Sequence, residues 1–201
     1  MNASGGSAAL LVLLAAGAAE LGAGCGLFEP RSPEAPTQSS QTFLPATDPL
    51  IVISNLQSAI EQKSVPNYTQ CLADPLSGVH TFLFVPSSEG TAQYVSLFRN
   101  WSTAEEQAYF QNLTTRTTPT SSSKLDLTEK TRSLAADSAL LEYDYTLTFE
   151  NTAAGFPSRA SGNLQFALQR SSSNIWTIYR WTDFKTTNDI TWSLFKGKFS
   201  N

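Results

Sequence analysis

The second half of the chain alternates between apolar and polar residues with a period of two. Five apolar residues of one parity are separated by Glu, Asp and Thr: Leu141, Tyr143, Tyr145, Leu147 and Phe149. Because successive side chains of a strand point to opposite faces, we expect one face in the core and the other, with Glu142 and Asp144, in water. The same period recurs over 125–127, 162–169 and 176–184, which predicts a meander of long antiparallel strands.

The first half of the chain has helical spacing instead. Asp48 is a candidate N-cap followed by Pro49, and four apolar residues then share one side of a helical wheel: Leu50, Ile53, Leu56 and Ile60. This pattern predicts a helix to about Gln62, followed by a short helix over 67–72. A capping box at 102–105 predicts the start of another helix.

Two further segments lie between these helices. The run 79–85 is apolar on both alternating faces and ends at Pro86, which predicts a strand covered on both sides. Helical spacing then returns over 94–101 and predicts a further helix. Helices early and strands late are typical of the α+β class, so we predict N-terminal helices packed on a curved antiparallel β-sheet. This domain is predicted to span residues 48–201.

The first part of the chain has the pattern of a lipoprotein signal. An uncharged run of mostly small or aliphatic residues, Ala8 to Ala19, precedes Cys25, after which Pro, Ser, Glu and Gln dominate. An apolar segment too short for an ordinary membrane helix, ending in small residues and a Cys, is typical of such signals. We predict a signal peptide over 1–24, a lipidated Cys25 and a flexible tether over 25–47. The alternatives are an ordinary secretory signal and a buried apolar N-terminus.

Charge and cysteine content exclude several classes of function. The formal net charge is −4, which gives no electrostatic basis for binding nucleic acid. There are two cysteines, and if Cys25 carries a lipid then Cys71 has no partner for a disulfide. One histidine and one free cysteine cannot make the usual nitrogen or sulfur shell of a metal, and no cofactor motif occurs. We therefore expect no metal and no cofactor.

The order of elements resembles a known family. Two helices, a strand, a helical segment and long strands ending in Trp176-x-Ile178-x-x-Trp181-x-Asp183 resemble the NTF2-like (SnoaL-like, cystatin-like) cone-fold domain. The resemblance is closest to uncharacterised bacterial lipoproteins, in which four further motifs would correspond: Cys25, Phe28-Glu29-Pro30-Arg31, Phe82-x-Phe84-x-Pro86 and Trp192-x-Leu194-x-Lys196-Gly197. It implies a cone whose open mouth relatives use as a ligand pocket, an active site or a contact surface.

Few residues suggest catalysis. His80 is in phase with Phe82 and Phe84, which favours a core or half-buried histidine over a general base. Asp183 could act as a base inside an apolar cone, although a bulge predicted near 179–181 obscures which way its side chain points. We assign no catalytic residue. Six residues are candidates for lining a pocket in the cone: His80, Tyr143, Tyr145, Trp176, Trp181 and Asp183.

These patterns together predict a protein of the bacterial cell envelope, anchored by lipid and facing the periplasm or the exterior. We predict a binding or interaction module without turnover. Its partners would be the membrane, through the lipid anchor, and a small apolar ligand, an envelope protein or a second copy of the chain. The alternative is a small-molecule enzyme of isomerase or hydratase type with its site in the cone. A hollow cone with a desolvated titratable group favours the enzyme, and a cone filled by aromatic side chains favours the module.

Overall fold

A computed structural model describes residues 43–74, 76, 80–151 and 154–200. The predicted signal peptide, Cys25 and most of the predicted tether lie outside the described residues. The elements are α1 Pro49–Glu61, α2 Val65–Gln70, β1 Leu83–Val85, α3 Ser88–Gln93, α4 Thr103–Thr115, β2 Ser123–Leu134, β3 Ser138–Phe149, β4 Arg159–Arg170, β5 Trp176–Phe184 and α5 Trp192–Phe199. Among the described residues, no helix combines the length and apolar character needed to cross a membrane.

The strands form one five-stranded sheet in the order β1-β5-β4-β3-β2. Strands β2 to β5 are antiparallel neighbours, as the alternating pattern predicts. The helices pack on the inner face of this sheet. The alternate residues of β3 that are buried belong to one core with residues of α1 and α4. The predicted α+β class, with helices on a curved and mostly antiparallel sheet, is confirmed.

Strand β5 carries the predicted bulge. Ala167 of β4 pairs with Arg180 and the next residue, Leu168, pairs with Ile178, so Tyr179 has no partner across the ladder. An extra residue of this kind bends its strand and increases the local twist. The bulge also shifts the alternation by one residue: Trp176 and Ile178 are buried before it, and Trp181 and Asp183 are buried after it.

The prediction for β1 is partly wrong. The strand begins at Leu83 rather than near residue 79, and it runs parallel to β5. The physical reason is competition for the edge of β5, because Ile178 there exchanges backbone hydrogen bonds with Cys71 and Ala73 (Ile178 N to Cys71 O 2.9 Å, Ala73 N to Ile178 O 2.8 Å). Only the part of β5 after the bulge is free to pair with β1.

The local helix signals are confirmed at two places. The Asp48 carboxylate accepts a hydrogen bond from Leu50 N at 2.8 Å and caps α1. Ser102 and Glu105 form the reciprocal capping box at the start of α4. The helix predicted over 94–101 is wrong: Tyr94 has φ −126° and ψ 55° and ends α3, and a single 3-10 turn, Leu97–Asn100, follows.

Packing extends further towards the N-terminus than Asp48. Asn55 is 4% exposed and binds both backbone groups of Leu44, donating to its carbonyl at 2.8 Å and accepting from its N–H at 3.1 Å. The Ala46 carbonyl accepts a hydrogen bond from Trp176 N at 2.8 Å, and Phe43 packs against the core. Residues 43–47, which the composition assigned to the tether, therefore belong to the folded domain.

Candidate functional site

A buried ion pair lies inside the cone. Lys196 Nζ of α5 is 2.5 and 2.6 Å from Oε1 and Oε2 of Glu106 in α4, and both side chains are 0% exposed. Two further donors satisfy the carboxylate: Tyr68 Oη donates to Oε1 at 2.6 Å, and Trp101 Nε1 donates to Oε2 at 2.5 Å. Each carboxylate oxygen thus accepts two hydrogen bonds, which is the condition for burying such a charge.

Aromatic rings surround the remaining side of the ammonium group. Lys196 Nζ lies 3.8 Å from the ring centroid of Phe84 and 4.0 Å from that of Trp181. The rings of three more residues lie between 5.4 and 5.9 Å away: Trp101, Tyr109 and Trp192. The negative ring faces attract a cation at these distances. Trp181 presents its ring face, and its buried Nε1 has no hydrogen-bond acceptor.

Burial dominates the electrostatics of this cluster. Desolvation lowers the pKa of Lys196 to about 8, although Glu106 and Asp183 favour the charged form. The pKa values of Tyr68 and Tyr109 are raised well above the ordinary tyrosine value, first by burial and then by the negative charge of Glu106. At neutral pH Lys196 is therefore mainly an ammonium ion, and the two phenols beside it are neutral.

A second buried network, around Asp183, holds the beginning of α5. Asp183 Oδ2 accepts hydrogen bonds from Ser193 N at 2.7 Å and Ser193 Oγ at 2.5 Å, and Oδ1 accepts one from Tyr145 Oη at 2.8 Å. Tyr145 Oη in turn accepts from Trp192 N at 2.6 Å. Desolvation raises the pKa of Asp183, and the bonds from Ser193 and Tyr145 oppose this rise. The carboxylate thus satisfies helix N–H groups that have no partner within α5.

Close packing fixes α5 in the cone. Thr191 caps the helix, and a Cβ at Gly197 would lie 2.2 Å from the Tyr94 ring, so only glycine allows this approach. A Cβ at Gly162 would lie 3.1 Å from Tyr145 Oη and 2.5 Å from the Phe184 carbonyl, so a side chain there would displace the hydroxyl that binds Asp183. Helix α5 is therefore closely packed in the interior of the domain.

The structure brings together three of the six candidate pocket residues. Tyr145, Trp181 and Asp183 all contact α5, and Trp181 meets Trp192 edge to face at 4.5 Å between centroids. Tyr143 lies on the same inner face and packs against Phe166 rather than against α5. Trp176, 5% exposed, is a core residue at the beginning of β5.

His80 does not lie in the cone. It precedes β1, is exposed, and stacks on Tyr179 with 4.6 Å between ring centroids. The interpretation as a core or half-buried histidine in phase with Phe82 and Phe84 is therefore corrected. The strand begins only at Leu83, so the alternation that linked these residues does not extend to His80.

Glu106 and Lys196 are the residues that sequence reasoning missed. Glu106 follows the capping box and looks like one more acidic residue of a first helical turn. Lys196 had a partial signal: it lies among Trp192, Leu194, Phe195 and Phe199, and a helix so rich in large apolar residues is mostly buried. A lysine in such a helix needs a buried acidic partner, but the pattern does not say which acid.

The two buried networks hold α5 in place. Lys196, Glu106 and Asp183 are desolvated, yet each has its hydrogen-bonding partners within the chain, and α5 occupies the space beside them. Within the described ranges, no group of three His, Cys, Asp or Glu side chains could hold a metal ion.

Comparison with known proteins concerns the fold. No family model and no curated protein matches the sequence. A conserved protein from Planctomyces limnophilus matches with 11% identity and a TM-score of 0.50, over 66% of this chain and 89% of that one. A proposed aromatic ring hydroxylase from Novosphingobium aromaticivorans matches with 14% identity and a TM-score of 0.50, over 69% and 89%. A Nostoc punctiforme protein with a cystatin-like fold matches with 12% identity and a TM-score of 0.45, over 69% and 89%.

At these identities the similarity shows a shared architecture and does not show a shared activity. The element order, the curved sheet and the helices on its inner face agree with the resemblance found in the sequence. The chain has an α+β fold with helices on a curved, mostly antiparallel sheet, which is the architecture that the resemblance implied.

Proposed function

We propose that this chain is a lipid-anchored protein of the bacterial envelope that acts as a non-catalytic binding or interaction module. The observation that carries the proposal is the filling of the cone by α5. Lys196 is buried, and so are the aromatic rings around it. An enzyme of the isomerase or hydratase type needs space beside its base, whereas an interaction module needs only a rigid scaffold.

The outer face of the sheet is the surface that we assign to a protein partner. Four residues are neighbours across β3, β4, β5 and β1 in this order: Leu140, Ala167, Arg180 and Leu83. Leu83, Phe184 and Leu140 are 48%, 43% and 37% exposed and Arg180 is exposed beside Leu83, whereas Ala167 is only 3% exposed, so the face presents three apolar side chains and a cation. Its partner would be an envelope protein or a second copy of the chain.

Crosslinking in the membrane fraction tests this assignment. A photo-crosslinker at position 182, between Val85 and Gln165 on this face, should capture a discrete partner, and Leu83→Asp with Phe184→Asp should abolish capture. Leu134→Asp is the matched control, since Leu134 is 54% exposed but has the opposite parity at the end of β2. Equal capture in both variants would contradict the assignment.

The anchoring has its own test. Mass spectrometry of the mature N-terminus should find a diacylglyceryl-modified Cys25, and Cys25→Ala should release the protein from membranes or block its processing. An unmodified N-terminus at another residue would leave an ordinary secreted protein.

The enzyme alternative rests on Asp183, whose pKa is raised by burial. If Asp183 is a base, Asp183→Asn should remove activity by about 10²- to 10⁴-fold while the protein stays folded. For a module, the same variant should alter stability and leave crosslinking at position 182 unchanged.

A further inference from the structure

The interior of the cone has the chemistry of an ammonium-binding site. The ammonium group meets one carboxylate at 2.5 and 2.6 Å and the faces of aromatic rings on its other side, the nearest at 3.8 and 4.0 Å. Cages of aromatic rings recognise ammonium ligands in proteins because the ring faces are negative. The residues that form the cage come from β1, the segment just before α4, α4 itself, β5 and α5, so elements far apart in sequence position it.

We propose that the cone interior is a binding site for primary alkylammonium ions, and that Lys196 of the same chain is its resident occupant. The tetramethylene stem of Lys196 lies within the core, and its head is bound by Glu106 and the rings. Tethering gives this occupant a high effective concentration, so the native chain is closed to free amines. The proposal stands independently of which partner binds outside the cone.

The site should select its ligand by charge and by length. Lys196→Ala removes three carbons and the nitrogen, which together match n-propylammonium. Lys196→Gly removes one carbon more and matches n-butylammonium. Tyr68 and Trp101 donate to Glu106 independently of Lys196, so a cation is the ligand that would restore the missing half of the ion pair in both variants.

Thermal melts of the variants, refolded from urea with and without amine at pH 7, test the proposal. n-Propylammonium should raise the melting temperature of Lys196→Ala by about 5–10 °C when its concentration exceeds Kd about a hundredfold. The optimum should move to n-butylammonium in Lys196→Gly. 1-Propanol, of similar shape but neutral, should have little effect.

Three controls separate this site from weaker explanations. The unaltered chain and Lys196→Met should not respond to amine, because in both the space is filled. In Lys196→Ala combined with Glu106→Gln, the preference for n-propylammonium over 1-propanol should disappear.

Several results would overturn the proposal. These are no response to amine, an equal response to 1-propanol, the same optimum in the Ala and Gly variants, or an equal response of the unaltered chain. Failure of Lys196→Ala to fold at any amine concentration would also overturn it, because a saturating ligand should restore the fold.

Discussion

Lys196 Nζ and the carboxylate of Glu106 form a two-oxygen contact at 2.5 and 2.6 Å with no solvent exposure on either side chain. The pair links the last helix of the chain to α4. A buried ion pair is not in itself stabilising, because the cost of desolvating two charges offsets their attraction. We expect its consequence to be specificity, because another register of α5 would bury the Lys196 ammonium group without its counterion.

The ion pair should show strong coupling between its members. Lys196→Met and Glu106→Gln should each lower the free energy of unfolding by about 3–5 kcal/mol, since each leaves one buried charge without its counterion. The double variant should cost clearly less than the sum, because Gln can accept from Trp101 and donate to Tyr68. Urea denaturation of the four proteins measures the coupling. Additive losses would show that the two charges do not interact.

Asp183→Asn should change the pH dependence of stability. The pKa of Asp183 is raised above 3.8 in the folded state, so above pH 3.8 the folded protein keeps a proton that the unfolded chain releases. The contribution of Asp183 is fully present below that pH and is lost as pH rises through the folded pKa. The cost of Asp183→Asn, measured by urea denaturation, should therefore be largest in acid and smaller at pH 7. A cost that grows with pH would contradict the raised pKa.

Alkaline pH should unfold the protein steeply. Three of the six tyrosines, Tyr68, Tyr109 and Tyr145, are buried with pKa values well above 10. Above pH 10 the unfolded chain loses protons that the folded chain keeps, so each costs about 1.4 kcal/mol per pH unit. Ultraviolet titration should show these three ionising only together with unfolding. Ionisation of all three before the loss of structure would contradict their burial.

Trp176 and His80 should respond in opposite ways to substitution. Trp176→Ala should cost about 3–5 kcal/mol, because the side chain is 5% exposed and its removal leaves a cavity in the core. His80→Gln should change stability by less than about 0.5 kcal/mol, since the ring lies outside the core. Thermal melts measure both effects. A large loss for His80→Gln would mean that stacking on Tyr179 supports the loop before β1.

Removing residues 43–47 should destabilise the domain. A chain that begins at Asp48 leaves Asn55, 4% exposed, without both of its hydrogen bonds to Leu44 and leaves Trp176 N without the Ala46 carbonyl. Each unsatisfied buried group costs about 1–3 kcal/mol. A chain that begins at Phe43 retains these contacts and is the control. Equal melting temperatures for the two chains would support a domain that begins at residue 48, as the composition indicated.

Local patterns in the sequence predicted much of the fold. The Asp48 cap and the capping box at 102–105 fixed the starts of α1 and α4, because both signals act within one helical turn. Alternation predicted β3, β4 and β5, since one face of each is buried against the helices. The bulge at Tyr179 was predicted from a break in that alternation.

Long-range contacts decided the rest. The length and direction of β1 follow from the competition of Cys71 and Ala73 for the edge of β5, which lies about a hundred residues away in sequence. The position of α5 and the pairing of Lys196 with Glu106 depend on elements separated by 90 residues. The sequence by itself determined the starts of α1 and α4 and the buried faces of the long strands. Only the tertiary structure decided that α5 fills the cone. A lysine can be identified as buried only when its acidic partner is known, and folding alone brings Glu106 next to Lys196.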